Sequence, residues 1–388
     1  MPRHLYALGI RGYSGRPIQE VVAMLHQMLC FGSLKTLEYY CSHPDRYPWV
    51  GVTVEQLRRN YQPDLAVAMG NMSKRPYDNS RWPKRHVGSS DDIAQRFDDG
   101  FGVLVSGDFI GGYVSGAYGG IDTAAIFVDH GHHPPYIRAT FYKKGVKDVA
   151  AIALEDMVSH WERNGHHESV WRKPIHEFRS DSGAFTSEAT ESLCKHFKII
   201  QSFSTPGSQG QNPAEATIRR IFELMTSCYS NAMWVPRTLW TYCLAYVCNG
   251  RNLKVTDLES GPSWEAFHGK FYDFNSCPLL PFGQPVVVFI DKPQRFWKFG
   301  PHAFLGMYVG TPEGIKNAIM VFNPVTGRVR VSRDYMIADV SAVPAYWPRY
   351  TDKDGNFLPV ENDPTYPNAD EDGNLPLVRG DPMGVFPL

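Results

Sequence analysis

FRSDSGAFTS (residues 178–187) and NPAEATIRRIFELM (residues 212–225) are the stretches whose reading decides the fold. The first closes the run PIHEFRSD (residues 174–181), an extended segment that ends on Asp181. The second opens a helix. Asn212 suits the cap, Pro213 suits the first turn, and Ala214, Ile218, Ile221, Phe222 and Met225 recur as an apolar stripe. A strand ending in an acid, followed after 33 intervening residues by a helix with Glu215 in its first turn, belongs to an α/β arrangement.

Working outward, FGVLVSGD (101–108) is a short apolar run that ends on Asp108, and GGIDTAAIFVD (119–129) and PYIRATFYK (135–143) follow as two more strands. KDVAAIALEDMVSHWER (147–163) then places Val149, Ile152, Ala153, Met157 and Trp161 at helical spacing. Three strands, a helix and a fourth strand precede the Glu215 helix. Residues 1–90 read as mostly helical, with helices expected around Ile18–Cys30 and Val54–Asn60, and the Arg-, Lys-, Pro- and Ser-rich stretch Ser73–Ser90 reads as a linker. Past Gly250 the pattern turns to short β runs: QPVVVFID, AFLGMYVG, NAIMVFN and RVRVSRD. From about Pro348 the chain is rich in Pro, Asp, Asn and Gly, a composition of disorder. There is no internal repeat.

A hydrophobic content of 43% with 20% charged residues over 388 residues is that of a soluble globular protein with room for two or three domains. No apolar run approaches the length of a membrane span, and the N-terminus lacks the apolar stretch of a secretory signal. The seven cysteines are scattered without a CxxC pair, which predicts reduced thiols in the cytosol or nucleus. The net charge of −1 conceals an asymmetry: from Thr351 onward eight acidic residues face only Lys353 and Arg379. The remaining body holds 37 basic and 32 acidic residues, a mildly basic surface compatible with phosphate contacts.

Asp108, Asp181 and Glu215 suggest a chemistry. Phosphodiester cleavage and strand transfer use divalent ions that polarise the phosphate and activate the nucleophile, and hard ions of this kind take carboxylate oxygens. Each acid also has a simpler use. An aspartate that ends a strand forms turns, and Glu215 stands three residues after Asn212, where a capping box places an acid.

These blocks resemble the integrase of copia-type LTR retrotransposons, whose catalytic core is like that of retroviral integrases. The matching residues are Arg179, Ser180, Asp181, Gly183 and Phe185, then Thr205, Pro206, Gln211, Asn212, Ala214, Glu215 and Arg219. Upstream, SGDFIGG resembles the block around the first catalytic aspartate and picks out Asp108; FVDHGHHPPY resembles the next strand, whose Asp129 is not a usual ligand. PRTLWTYCLAYVCNGRN, GPSWEAFHGK, PFG, FLGMYVG and SRDY continue the family's order, so the resemblance spans roughly residues 15–345. It implies a ribonuclease H-like α/β core, a mixed sheet flanked by helices. It also implies a polynucleotidyl transferase that performs 3′-end processing and strand transfer, with two Mg²⁺ (or Mn²⁺) ions on Asp108, Asp181 and Glu215. The chain departs from the family in two blocks. Asp181 is followed by Ser-Gly-Ala-Phe and Asn212 by Pro-Ala-Glu, each one residue short of the family pattern. The contraction puts Glu215 in its helix's first turn, where capping competes, with Glu188, Glu191 and Glu223 as nearby substitutes.

The family's N-terminal zinc module is degenerate here. LHQMLCFGS keeps His26 but has Phe31 where a second histidine belongs, and no cysteine lies between residues 60 and 80. Structural zinc needs about four N/S ligands, so a metal-free helical module is expected rather than a substitute site from His26, Cys30, Cys41 and His43. His130, His132, His133, His166 and His167 sit in turn-like segments and read as exposed loop histidines. Candidates for DNA contact are Arg219 and Arg220 on the Glu215 helix, Lys143, Lys144 and Lys147 in the turn before the long helix, and Arg328 and Arg330 on the last β runs.

The chain is therefore expected to comprise a degenerate helical module (1–90), a ribonuclease H-like core (91–255), a β-rich module (256–345) and an acidic tail (346–388). Double-stranded DNA is the expected partner, a homo-oligomer the expected assembly and the nucleus the expected place of action, with no membrane contact. The rival readings are a catalytically decayed copy that binds DNA or protein, and a stand-alone nuclease.

Overall fold

The computed structural model describes residues 17–47, 50–62, 64, 67, 100–111, 118–143, 145–165, 175–181, 183, 185–203, 213–255, 260–274, 276–290 and 302–338. The Ser73–Ser90 linker, His166, His167, Lys144, Asn212 and the acidic tail lie outside these residues.

The apolar run at 121–129 forms β2 (Ile121–Asp129), buried continuously from Ala124 because both faces of its sheet are covered. It pairs antiparallel with β1 (Leu104–Gly111) on one side and β3 (Tyr136–Lys143) on the other. β4 (Glu177–Ser180) lies parallel to β1, and β5 (Ile200–Phe203) parallel to β4. The resulting order, β3-β2-β1-β4-β5, is that of a ribonuclease H-like mixed sheet, as the sequence implied. Side-chain alternation sends Ala125 and Phe127 to one face of β2 and Ala124, Ile126 and Val128 to the other. The first pair meets Ala153, Leu154, Met157 and Trp161 of α4 (Val149–Asn164). The second set meets Ala214, Ile218 and Ile221 of α6 (Pro213–Asn231) and Leu244 and Val247 of α7 (Trp240–Asn252).

Three elements have no counterpart in the sequence reading of the core: α5 (Glu188–Phe197), the edge strand β5 and α7. Of α5, Thr190 and Cys194 are fully buried and Leu193 and Phe197 partly so, a stripe of only two turns, and β5 is short with Ile200 and Phe203 exposed. Ser187 caps α5 by accepting from the Thr190 amide.

The second sheet is wholly antiparallel, in the order β10-β6-β7-β8-β9, from β6 (Pro285–Phe289), β7 (Ala303–Gly310), β8 (Ile319–Asn323), β9 (Arg328–Ser332) and β10 (Tyr335–Ile337). Its Val286, Val288, Met307, Ile319 and Val321 join the apolar cluster of α6 and α7, so this sheet shares a core with the first.

At the N-terminus α1 (Ile18–Met28), α2 (Leu34–Ser42) and α3 (Val54–Asn60) surround Leu25, Leu37, Tyr40, Tyr47 and Leu57. The same cluster takes in Leu253, Val255, Phe274 and Leu279 from the other end of the chain. Polar contacts fix the seam: Tyr40 donates to the Leu253 carbonyl at 2.8 Å, Thr36 to Val255 at 3.1 Å, and Tyr246 to Gln27 at 2.8 Å. Tyr47 donates to the buried Glu265 carboxylate at 2.6 Å. His26 is buried edge-on against the Phe31 and Tyr61 rings, and burial pushes its imidazole down to about 4. His43 Nδ1 stands 2.8 Å from the Tyr39 carbonyl oxygen. All seven cysteines are free thiols. Among the described residues no helix is long and apolar enough to cross a membrane.

Candidate active site

Asp108 sits on β1 opposite Ile126 of β2. It shares strand parity with Ile110, which packs toward α6, and so belongs to the sheet face that α6 covers. β1 and β4 run in parallel with Ser106 opposite Arg179. Continuing that register by two positions brings Asp181, the residue after β4, level with Asp108. Glu215 lies in the first turn of α6 and is exposed. The three acids thus come from the middle of β1, which runs on past Asp108 to Gly111 rather than ending on it, from the residue after β4, and from a helix start.

Their electrostatics agree with this placement. The Asp108 carboxyl is raised above its ordinary value, first by partial burial and then by the negative charges of Asp181 and Glu215. The Phe109 amide, donating to Asp108 Oδ1 at 2.8 Å, partly offsets the rise. Asp181 is exposed, and its Oδ1 accepts from the Gly183 amide at 3.2 Å. Whether Glu215 serves as a cap involves Asn212, which lies outside the described residues. Two of the substitute acids are engaged elsewhere: Glu191 pairs with Lys195 at 2.7 Å and Glu223 with Arg220 at 2.6 Å.

As a donor set, three carboxylates brought to one end of the sheet suit a hard divalent cation, which would offset their like charges. Among the described residues no three His, Cys, Asp or Glu side chains form a group ready to hold an ion. The acids are within electrostatic range of one another without being drawn together as ligands.

The ground beneath the trio is aromatic. The Phe109 ring stacks on Phe185 at 4.8 Å, and Phe178 meets Phe185 edge-on at 4.9 Å. Gly107 is needed in SGD because a Cβ there would stand 2.7 Å from the Phe178 ring. Sequence reasoning passed over this floor, since aromatic contacts between strands leave no periodic trace; the glycine before Asp108 was the one available signal.

The basic candidates are dispersed. Lys143 ends β3 opposite Ile121, at the same end of the sheet as the end of β1. Lys147 is exposed in the turn before α4, and Arg219 is exposed on α6. Arg328 and Arg330 lie half-buried on the outer strand β9, with the Arg330 guanidinium 6.0 Å from the Phe304 ring centroid.

The expectation for the histidine loop needs correction at one position. His130 is buried, not exposed; its Nε2 lies 3.0 Å from Ser106 Oγ, and burial pushes it down to about 4. It directly follows β2 and is drawn under the sheet with it. His132 is half-buried and stacked on Phe101, and His133 is exposed. The neighbouring Asp129 is fully buried. It accepts from the Gly102 and Gly131 amides and from Trp161 Nε1, opposite Val105 near the start of β1.

No protein-family profile and no curated protein matches the chain. Among solved structures, the chain is similar to one in the simian T-cell lymphotropic virus intasome in complex with PP2A regulatory subunit B56 gamma. That match has 13% identity and a TM-score of 0.35, covering 62% of this chain and 80% of the other. It is also similar to the catalytic core domain of BIV integrase, at 16% identity and a TM-score of 0.29, covering 43% of this chain and 93% of that one.

Proposed function

We propose that the chain is an integrase-like polynucleotidyl transferase of copia-retrotransposon type. It would carry out 3′-end processing and strand transfer on double-stranded DNA, working as a homo-oligomer in the nucleus. The observation that carries this reading is the Asp108 carboxyl, which feels the charges of both Asp181 and Glu215 although the three arise from separate elements of the fold. Asp108, Asp181 and Glu215 would hold two Mg²⁺ or Mn²⁺ ions, which when bound polarise the phosphate and activate the attacking hydroxyl. The chain's own part is positional. The parallel β1–β4 register sets two of the acids side by side, and the Phe109–Phe185 stack supports the strands that bear them. Lys143 and Arg219 supply positive charge for DNA phosphates.

A second reading, a catalytically silent copy that keeps the fold and binds DNA or protein, draws support from Asp181. Its carboxylate closes a turn onto the Gly183 amide, the ordinary use of an aspartate that ends a strand. A Mg²⁺-dependent strand-transfer assay on duplex ends, with Asp181→Asn beside the wild type, separates the two. The transferase reading requires product from the wild type and a loss of at least about a hundredfold in the variant. Equal signal from both proteins refutes it.

A further inference from the structure

Away from the carboxylates, a second concentration of charge lies where α6, α7 and the N-terminal module meet. Arg220 projects from α6, Arg251 from the last turn of α7, and Lys254 follows that helix directly. Arg251 Nε is sealed from solvent and has no hydrogen-bond partner among the described residues. Leaving a guanidinium N–H without an acceptor is costly, because desolvation is not repaid. The three cations also crowd one another. Burial and then Arg220 hold Arg251 below its ordinary value, and burial, Arg251 and Arg220 bring Lys254 down to about 8. Among the described residues, the acid ion-paired in this group is Glu223, engaged with Arg220 at 2.6 Å. The C-terminal end of α7 favours cations and accounts for part of the clustering, but a helix end does not supply an acceptor for the buried Nε. The Arg220 side chain is 37% exposed, so solvent meets the group at that residue, with Arg251 Nε behind it.

A tetrahedral anion suits this place. Guanidinium forks and an ammonium match the several acceptor oxygens of a phosphate, and its negative charge relieves the mutual repulsion. Arg220 lies five residues along α6 from Glu215, a rise of about 7.5 Å. The same step turns Arg220 about 140° around α6 from Glu215, so the cluster opens on a different side of the helix and would hold a stretch of backbone separate from the one at the carboxylates. We propose that Arg220, Arg251 and Lys254 form a phosphate-binding site for a nucleic-acid backbone, at the seam between the N-terminal module and the core. This rests on the DNA-binding part of the function proposed above and adds a second anchoring point to it.

The test is binding of a fluorescein-labelled DNA duplex to the full chain, followed by anisotropy across a chloride titration in EDTA, so that no transfer chemistry is involved. Lys254→Gln should weaken binding alike for unrelated duplex sequences and lower the slope of log affinity against log salt by about 0.9, one phosphate contact. Lys254→Arg should restore the slope, and Arg220→Gln, a more exposed change, should reproduce the loss. An unchanged slope in both Gln variants, with unchanged melting temperatures, overturns the site. Inorganic phosphate is the second probe. If it raises the wild-type melting temperature and not that of Lys254→Gln, while both bind duplex equally, the ligand is free phosphate and the backbone assignment is refuted. Slope changes without strand transfer would refute the proposed chemistry alone; transfer with unchanged slopes would refute this site alone.

Discussion

Replacing Asp129 with alanine should destabilise the core without touching the candidate active site. The side chain is fully buried, and its two oxygens serve three donors: Oδ2 takes the Gly102 amide and Trp161 Nε1, each at 2.9 Å, and Oδ1 takes the Gly131 amide at 3.0 Å. Removing the carboxyl strands three donors that no solvent reaches, at about 1–3 kcal/mol each. Water entering the cavity keeps the total near the low end, so the expected loss is about 3–5 kcal/mol. That is a large share of the roughly 5–15 kcal/mol of a whole domain. Asp129→Asn keeps one acceptor oxygen but turns an NH₂ toward a donor, and should cost about 1–3 kcal/mol. Burial pushes the Asp129 carboxyl up to about 7. A raised carboxyl favours the folded state most below its unfolded value and loses that advantage as pH rises through 7. The gap between wild type and Asp129→Ala should therefore narrow between about pH 5 and pH 8. Urea unfolding followed by circular dichroism at both pH values measures it. A loss below about 1 kcal/mol, or a gap that widens with pH, would refute the assignment of Asp129 as a buried structural acceptor.

His26 and His130, each brought down to about 4 by burial, and His160, lowered further, act in the opposite sense. Their stabilisation is present above the unfolded histidine value of about 6.5 and is lost as pH falls toward 4, at on the order of 3 kcal/mol each. Three histidines outweigh the single Asp129, so the melting temperature should fall on acidification from neutrality; a flat or rising profile contradicts this. Gly250→Ala, ordinarily favourable in a helix, should cost about 1–3 kcal/mol here, because its Cβ would stand 2.3 Å from the Cys30 Cβ. Cys30 has φ +50, so Cys30→Gly relieves both the clash and the backbone and should recover the double variant in thermal melts. Tyr47→Phe should cost about 1–3 kcal/mol by leaving the buried Glu265 carboxylate short of a donor, and a change within error in urea titration would count against that pairing.

Local pattern alone determined a good deal of this protein. Short apolar runs located β1 to β4 and, in the second sheet, β6 to β9, and the Ala214–Met225 stripe located α6, because burial selects apolar residues where an element meets the core. Two apolar runs that close on an acid marked out Asp108 and Asp181, although the structure carries β1 on past Asp108 to Gly111. Short elements at the sheet edge stayed illegible, as with α5, fully burying Thr190 and Cys194, and β5, with Ile200 and Phe203 exposed; α7 is buried on nearly every side and so shows no one-sided repeat. Tertiary structure decided whatever depends on partners distant in the chain. The Ser106–Arg179 register levels Asp108 with Asp181, and partial burial beside the two other acids raises the Asp108 carboxyl. Folding of β2 against its neighbours buries His130, which composition had placed in a solvent loop. The N-terminal module, read as a separate unit that had lost its zinc, shares a core with Leu253, Val255, Phe274 and Leu279. Each of these joins segments of the chain whose separation no local repeat records, and only the packed chain brings them together.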